Sequence, residues 1–443
     1  MRDTKVAVIG GGSPGWTPRL VTDIMLEREL GGEIVLTDVD ADALAVLAKV
    51  CERIRTEHSG RFAIASTTNL DEALDGADFV VVTITTGGLK AMRVDLEVPE
   101  KYHCFQTVGD TVGPGGLSRA LRNIPVFVGF AQAMERRCPK AWMLNVSNPL
   151  TALTRTVEKV SSIRALGICH GVDGAAHDYA KLANAEGAKS IRFAGVDHCS
   201  WLLDLRVGDT DVLAEIRARL ADGWRFDEDK KGILEGYVAC LKLYENLGYL
   251  PAIQARHIVE FFPYFLRDME QVERYGLRRT SIADRERGRQ KQVERARRQA
   301  AGEEDIPRTQ SNEAVAPAIR AMVTGKRVVV SVNARNEGQI PNLPLGAVVE
   351  TLCVIDGAGV HAATAGPLPP EILAVVLPHV LRQEMTVEAG LSGDRDKALT
   401  ILATDPLVQD LDSAKDMLDE MLEANRKWLP QFFPGKGKRA KRT

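Results

Sequence analysis

The chain has 443 residues, 57 Lys and Arg against 60 Asp and Glu, a formal net charge of −3 and 45% hydrophobic residues. That length exceeds one ordinary core and implies two domains; the near-neutral charge argues against a nucleic-acid binder, and no stretch is long and apolar enough to span a membrane. Seven cysteines are scattered singly without a C-x-x-C pair, and the chain enters its first strand with no secretory leader, so a cytoplasmic protein with reduced thiols is expected.

Val6 to Ile9 read as a strand buried on both faces, followed by Gly10, Gly12 and Gly15 at the spacing G-x-G-x-x-G. The first glycine permits a tight turn, the second lets a pyrophosphate approach the backbone, and the third lets the next helix pack closely on the strand. That helix is expected near Thr17-Pro18, with its free amides facing the phosphates together with Ser13. A second strand, Glu33 to Leu36, leads to Asp38, at the distance where a carboxylate meets the adenosine ribose. Asp38 can accept from a 2′-OH and would repel a 2′-phosphate, which favours NAD over NADP; the plainer alternative is an Asp that ends a strand.

Ala41 to Arg55 has helical periodicity, Phe62 to Ser66 alternates as a strand, and Leu70 to Leu74 reads as a short helix. The buried strand Phe79 to Thr83 runs into Thr85, Thr86 and Gly87, which are candidate cofactor contacts because ligands sit at the C-terminal ends of parallel strands. Gly109 to Gly116 is too glycine-rich for regular structure and is expected to form a loop over the site. The helix from Ser118 is expected to break near Pro125, which cannot donate inside a helix.

Trp142 to Asn145 reads as a strand ending in Asn145-Val146-Ser147-Asn148-Pro149. Asn145 is a candidate cofactor contact, and Asn148, held extended by the proline, a candidate for a substrate hydroxyl or the nicotinamide ribose. A strand from Ala165 to Ile168 ends in Cys169-His170-Gly171, and a run from Ile191 to Val196 reaches Asp197-His198, after which Trp201 to Arg206 alternates again. Cysteine and histidine at separate strand ends can ligate a first-row metal and leave positions open for substrate oxygens. On spacing alone the alternative stands: a cysteine is commonly a small buried hydrophobe and a lone histidine structural.

Helices are expected at 232–247, around His257 to Pro263, at 370–388 and at 412–429, and strands at 327–332 and 347–355 flanking a turn-rich stretch from Asn333 to Asn342. Arg285 to Arg298 mixes basic residues with Glu and Gln and reads as a solvated helix, and the basic tail from Lys436 as disordered. The expected fold class is α/β: a Rossmann-like parallel sheet over 1–196, then a mixed α/β, helix-rich substrate and metal domain over 197–435, and the tail 436–443.

Taken together, the Gly10 fingerprint with Trp16-Thr17-Pro18, the Gly109 to Gly116 loop, Asn145 to Pro149, Gly167 to His170, His198 with Trp201, Arg256 to Pro263 and Asn336 to Pro344 resemble glycoside hydrolase family 4, the NAD- and Mn²⁺-dependent glycosidases. The resemblance implies a fold of the lactate and malate dehydrogenase type, a homo-oligomer (dimer or tetramer), and NAD and Mn²⁺ as cofactors, with Mn²⁺ or another divalent first-row metal held by Cys169 and His198. It also implies chemistry outside the usual two-carboxylate scheme: NAD⁺ takes hydride from C3 of the sugar, a base removes the acidified C2 proton, the glycosidic oxygen is eliminated, water adds, and NADH returns the hydride. Cys169-His170-Gly171 is similar to the members acting on α-linked uronic acids, α-galacturonidases and α-glucuronidases. Arg256 and Arg335 are then candidates to hold the uronate, and His170 to protonate the leaving group or hold the carboxylate or cofactor. Where many relatives have an acidic residue before Arg-His, or a tyrosine base, this chain has Ala255. The base is open among a metal-bound hydroxide, His257, Tyr237 and Tyr244. The alternatives are an α-galactosidase or α-glucosidase of the same family, a lactate- or malate-type dehydrogenase, and an inactive NAD-binding sensor.

Overall fold

The computed structural model describes residues 3–223 and 236–434. The start of the expected helix at 232–247 and the basic tail lie outside them. The first half alternates strand and helix as β1 (Thr4–Ile9), α1 (Thr17–Leu26), β2 (Gly32–Thr37), α2 (Ala41–Glu57), β3 (Phe62–Thr67), α3 (Leu70–Leu74), β4 (Phe79–Val82), α4 (Gly88–Lys101), α5 (Gly113–Arg137), β5 (Trp142–Asn145), α6 (Leu150–Val160), β6 (Arg164–Gly167) and α7 (Gly171–Leu182). There follow β7 (Lys189–Val196), β8 (Cys199–Val207), β9 (Thr210–Asp211), α8 (Val212–Ala221), α9 (Val238–Leu247), β10 (Leu250–Pro251), α10 (Ala255–Ile258), α11 (Met269–Arg274), α12 (Ile282–Ala301), α13 (Val315–Thr324), β11 (Val328–Arg335), β12 (Val348–Asp356), β13 (Gly359–Ala362), α14 (Pro370–Ser392), α15 (Arg395–Ala403) and α16 (Leu411–Ala424).

The parallel strands run β3-β2-β1-β4-β5-β6, the order of a doubly wound dinucleotide fold, and the sheet continues through β11, β12, β7, β8 and β10. Successive residues of the apolar strands face opposite sides. Val6, Val8, Ile34, Leu36 and Val81 join one core with α1, α2 and α13, while Ala7, Ile9, Val80 and Val82 join another with α5 and α6. Both faces are therefore covered, which is why these strands read as unbroken apolar runs. The antiparallel extension meets the parallel part through one residue pair, Asn333 with Gly167, and β12 meets β7 through Glu350 with Gly195. A third core forms around β7, β8, α9, α10 and α14 to α16. Among the described residues no helix is long and apolar enough to cross a membrane.

Two expectations fail in α5. Its first turn is helical from Gly113 onward, because a Cβ at Gly115 would sit 2.8 Å from the Asp95 carbonyl and one at Gly116 2.4 Å from Thr111 C; these glycines allow a helix start to approach its neighbours. Pro125 does not break the helix either. The carbonyl that loses its helical donor, Leu121 O, accepts instead from Gln431 Nε2 at 2.8 Å. Elsewhere α12 forms as expected, with only Ile282, Ala296 and Gln299 buried.

Candidate functional site

The loop after β1 is built for a nucleotide. Gly10 has φ +92, and a Cβ there would lie 2.3 Å from Thr83 O. At Gly11, in the same turn, a Cβ would meet Leu36 Cβ of β2 at 2.8 Å; Gly15, expected to let the helix pack closely on the strand, faces Gln292 of α12 instead. The Gly12 amide donates to Asp38 Oδ2 at 2.9 Å, and Asp40 N donates to Asp38 Oδ1 at 3.1 Å. Asp38 is thereby fixed beside the loop at the end of β2. Trp16 N bonds to Ser13 Oγ at 3.3 Å, and α1 opens at Thr17 with Pro18 in its first turn, where the missing N–H costs nothing.

At the end of β4, Thr85 and Thr86 are held by α5. Arg119 donates to Thr85 Oγ1 at 2.8 Å and to the Asn148 carbonyl at 3.0 Å, and Asn123 Oδ1 accepts from Thr86 N and Oγ1. Gly87 caps α4 in the left-handed region at φ +83. Beneath them a fully buried ion pair, Arg122 with Asp95, fixes this face of α5, and Arg122 also donates to the Thr86 carbonyl at 2.8 Å. The Asn145 side chain is engaged by the residues that follow it. Its amide is buried and spent inside its own turn, donating to Ser147 O and Thr154 Oγ1 and accepting from Ser147 N. Asn148 is half-buried and donates to Asp110 Oδ2 at 3.2 Å.

Cys169 and His198 come together. Cys169 follows β6, while Asp197 and His198 form the two-residue turn between β7 and β8, with Val196 paired to Cys199. His198 sits in this turn with φ +63, in the left-handed region that few residues other than glycine adopt, although asparagine, aspartate and histidine take it more readily than most. Cys169 Sγ and ligand atoms of Asp197 and His198 lie within 4.8 Å of one another. Neither oxygen of the fully buried Asp197 has a hydrogen-bond partner of standard geometry, and the Cys169 thiol is its neighbour. Burial, Asp197 and Glu350 push the Cys169 thiol well up; burial and Asp197 push Glu350 up to about 8; burial raises Asp197 too. Acidic groups crowded this way, with an unpartnered carboxylate among them, fit a divalent cation. Behind His198, Thr111 Oγ1 lies 2.7 Å from Nδ1 and 2.8 Å from Asp110 Oδ1. Burial opposes ionisation of Asp110, but His198 and Arg119 outweigh it and hold the carboxyl well below its usual range.

The remaining candidates divide. His170 Nδ1 is 3.0 Å from Oε1 of Glu313, a buried carboxylate that also faces Arg19 of α1 at 3.5 Å; the Glu313 hydrogen bond raises the His170 pKa against the effect of burial. Arg256 donates to Thr280 Oγ1 at 2.9 Å, its Nε is buried without a partner, and Arg285, Asp110 and Glu260 are its charged neighbours. Arg335 is exposed at the end of β11, near Glu158 and Gly346, and is not brought to the cluster. Ala255 is buried and supplies no base. Tyr237 and Tyr244 are committed elsewhere: Tyr237 donates to Asp178 at 2.9 Å and Tyr244 to the Leu213 carbonyl at 2.7 Å. His257 is in place, its ring centroid 4.1 Å from that of His198, and burial with His198 keeps its imidazole neutral. Asp110, His198 and His257 form a second group whose ligand atoms lie within 4.8 Å of one another.

The profile described as Family 4 glycosyl hydrolase matches residues 5–185, and that of the Family 4 glycosyl hydrolase C-terminal domain matches 193–408. The chain belongs to glycoside hydrolase family 4. Among family 4 relatives, an α-galacturonidase of Thermoanaerobacterium saccharolyticum is 34% identical over 97% of each chain, and an α-galactosidase of Bacillus subtilis 31% identical over 97% of this chain and 99% of its own. The solved Bacillus subtilis protein LplD superposes with TM-score 0.87 at 30% identity over 95% of this chain and 100% of its own. The 6-phospho-β-glucosidase of Thermotoga maritima, solved with manganese, NAD⁺ and glucose-6-phosphate, gives 0.80 at 24% identity over 96% and 99%, a likeness of fold.

For this family 4 chain the sequence reading missed Asp110, Asp197, Arg119 and Glu313. Asp197 had a visible signal, since it adjoins His198 between two strands; Glu313 is separated from His170 by 143 positions (313 − 170) and had none.

Proposed function

We propose that this chain hydrolyses α-linked galacturonides, with NAD and a divalent cation such as Mn²⁺ as its cofactors. The observation that carries the reading is the juxtaposition of the Cys169, Asp197 and His198 cluster with the strand ends of a nucleotide fold whose ribose position is Asp38. In this reading residues 1–196 hold NAD and 197–435 complete the substrate site, in a reducing compartment consistent with seven free cysteines.

Gly10, Gly12, Ser13, Gly15, Asp38, Thr85, Thr86 and Gly87 would hold NAD, and Cys169, Asp197 and His198 the cation. When bound, NAD supplies reversible hydride acceptance, and the cation stabilises negative charge beside the resulting ketone. Asn148, oriented by Asp110, binds a sugar hydroxyl. His257, neutral and tilted against the His198 ring, takes the C2 proton, a role Ala255 cannot fill. His170, oriented by Glu313 at the mouth, delivers a proton to the leaving oxygen. Arg256, with an unpartnered Nε and Arg285 nearby, pairs with the uronate carboxylate.

The test is a panel of nitrophenyl α-galacturonide, α-glucuronide, α-galactoside and α-glucoside run in D₂O. Turnover of the galacturonide, with deuterium at C2 and dependence on both NAD and Mn²⁺, is expected. Turnover that survives chelation and removal of NAD overturns the mechanism, and preference for the α-galactoside overturns the substrate.

A further inference from the structure

Thr111 stands between two groups of fixed polarity. Its hydroxyl oxygen is 2.8 Å from Asp110 Oδ1 and 2.7 Å from His198 Nδ1, and a hydroxyl has only one proton to give. A carboxylate at neutral pH accepts and cannot donate. The Thr111 proton therefore points at Asp110, and the Thr111 oxygen accepts from His198, which makes Nδ1 the protonated nitrogen. Nε2 keeps its lone pair, and this is the ring nitrogen found beside the cation cluster, 3.8 Å from Asp197 Oδ2. The other oxygen of Asp110 is engaged by Asn148 Nδ2 at 3.2 Å, so the carboxylate is held from both sides and cannot easily rotate away.

We infer that Thr111 is a positioning residue: relayed from Asp110, its hydroxyl locks His198 in the Nδ1–H tautomer and aims a bare Nε2 at the cation shared with Cys169 and Asp197. The inference rests on the proposed cation site. Its logic is that of carboxylate–histidine–metal triads, with a hydroxyl inserted between carboxylate and ring. The left-handed backbone of His198 sets where the ring stands, and Thr111 sets which nitrogen carries the proton. With its proton on Nε2 the ring would have no lone pair there for the cation, and the Thr111 proton would be drawn to Nδ1, leaving Asp110 Oδ1 without its donor.

The experiment uses full-length protein stripped by chelation and titrated with Mn²⁺, with free Mn²⁺ read by electron paramagnetic resonance and NAD binding measured in parallel. Thr111→Val, close in shape but unable to bridge, is expected to weaken Mn²⁺ binding about 10–100-fold, whereas Thr111→Ser stays near wild type and both bind NAD normally. Long-range ¹⁵N correlation of labelled histidines, with His198 assigned from His198→Gln, is expected to show Nδ1 protonated in the metal-free wild type. Cys169→Ser serves as the control on the site itself and is expected to lose Mn²⁺. If Thr111→Val binds Mn²⁺ like wild type while Cys169→Ser does not, or if His198 carries its proton on Nε2, the relay is wrong and the site stands. If Cys169→Ser binds Mn²⁺ like wild type, the cation lies elsewhere, for instance on Asp110 and His257, and the reading falls with the relay. Should Thr111→Val fail to bind NAD and so be misfolded, the nitrogen signals of the wild type decide alone.

Discussion

The backbone amide of Gly12 donates to Asp38 Oδ2 at 2.9 Å, tying the glycine loop to the carboxylate at the end of the second strand. A Cβ at Gly12 would sit 2.9 Å from the same oxygen and 3.1 Å from Ala43 Cβ. Gly12→Ala must push Asp38 aside, so it is expected to weaken NAD binding about 10-fold, the equivalent of one misplaced hydrogen bond. Asp38→Ala is expected to narrow the preference for NAD over NADP by removing the repulsion of a 2′-phosphate. Calorimetric titration with both nucleotides checks this; an unchanged preference would mean that Asp38 does not face the ribose.

Asp197 is a buried carboxylate with no hydrogen-bond partner of standard geometry on either oxygen, and it raises the proton affinity of its neighbours Cys169 and Glu350. Asp197→Asn is expected to weaken Mn²⁺ binding by at least about 10-fold, since outer-sphere partners alone are worth that much. NAD binding is expected to be kept. A variant that binds Mn²⁺ normally would show that Asp197 only fills the turn between β7 and β8.

What could be read from the sequence was whatever local periodicity carries: β1 through β6, the helices α1, α2 and α3, the glycine loop, Asp38, and the strand ends bearing Cys169 and His198. Two kinds of feature could not be read. Contacts distant in sequence, such as His170 with Glu313 or Arg119 with Thr85, leave no spacing signal. Local rules also yield to a remote partner: Pro125 stays inside α5 because Gln431, far along the chain, replaces its missing donor. Arg335 looked suitable on motif position, but β11 runs antiparallel to β6 and carries it past the Asn333–Gly167 pair, away from the strand end that bears Cys169.

Glu260 accepts from Val108 N at 2.6 Å, Gly109 N at 2.9 Å and Thr107 Oγ1 at 3.1 Å, pinning the segment before Asp110 to the stretch that bears His257. Burial nevertheless pushes its carboxyl from an ordinary 4.5 up to about 7. The folded state thus holds this proton more tightly than the unfolded chain does. The stabilisation is complete below pH 4.5 and is lost as pH rises towards and through 7, for a total of up to about 3 kcal/mol. Glu260→Gln keeps an oxygen for the two amides and does not titrate, so the fall in stability between pH 5 and 8 is expected to be smaller in the variant. Urea midpoints at the two pH values measure it, and parallel slopes would refute the assignment.

The Leu121 carbonyl, freed by Pro125, is buried and accepts from Gln431 Nε2 at 2.8 Å. Gln431→Ala leaves that carbonyl without a donor and is expected to cost about 1–2 kcal/mol. Pro125→Ala restores an N–H four residues after Leu121, which can close the helical bond itself. In that background the Leu121 carbonyl no longer needs Gln431, so its removal is expected to cost only whatever packing it contributes, giving a coupling of about 1 kcal/mol between the two positions in a double-mutant cycle. The cycle separates the hydrogen bond from any packing that Gln431 contributes, because packing loss would appear equally in both backgrounds. Equal costs in the two backgrounds would mean that α5 tolerates Pro125 without help from the C-terminal segment.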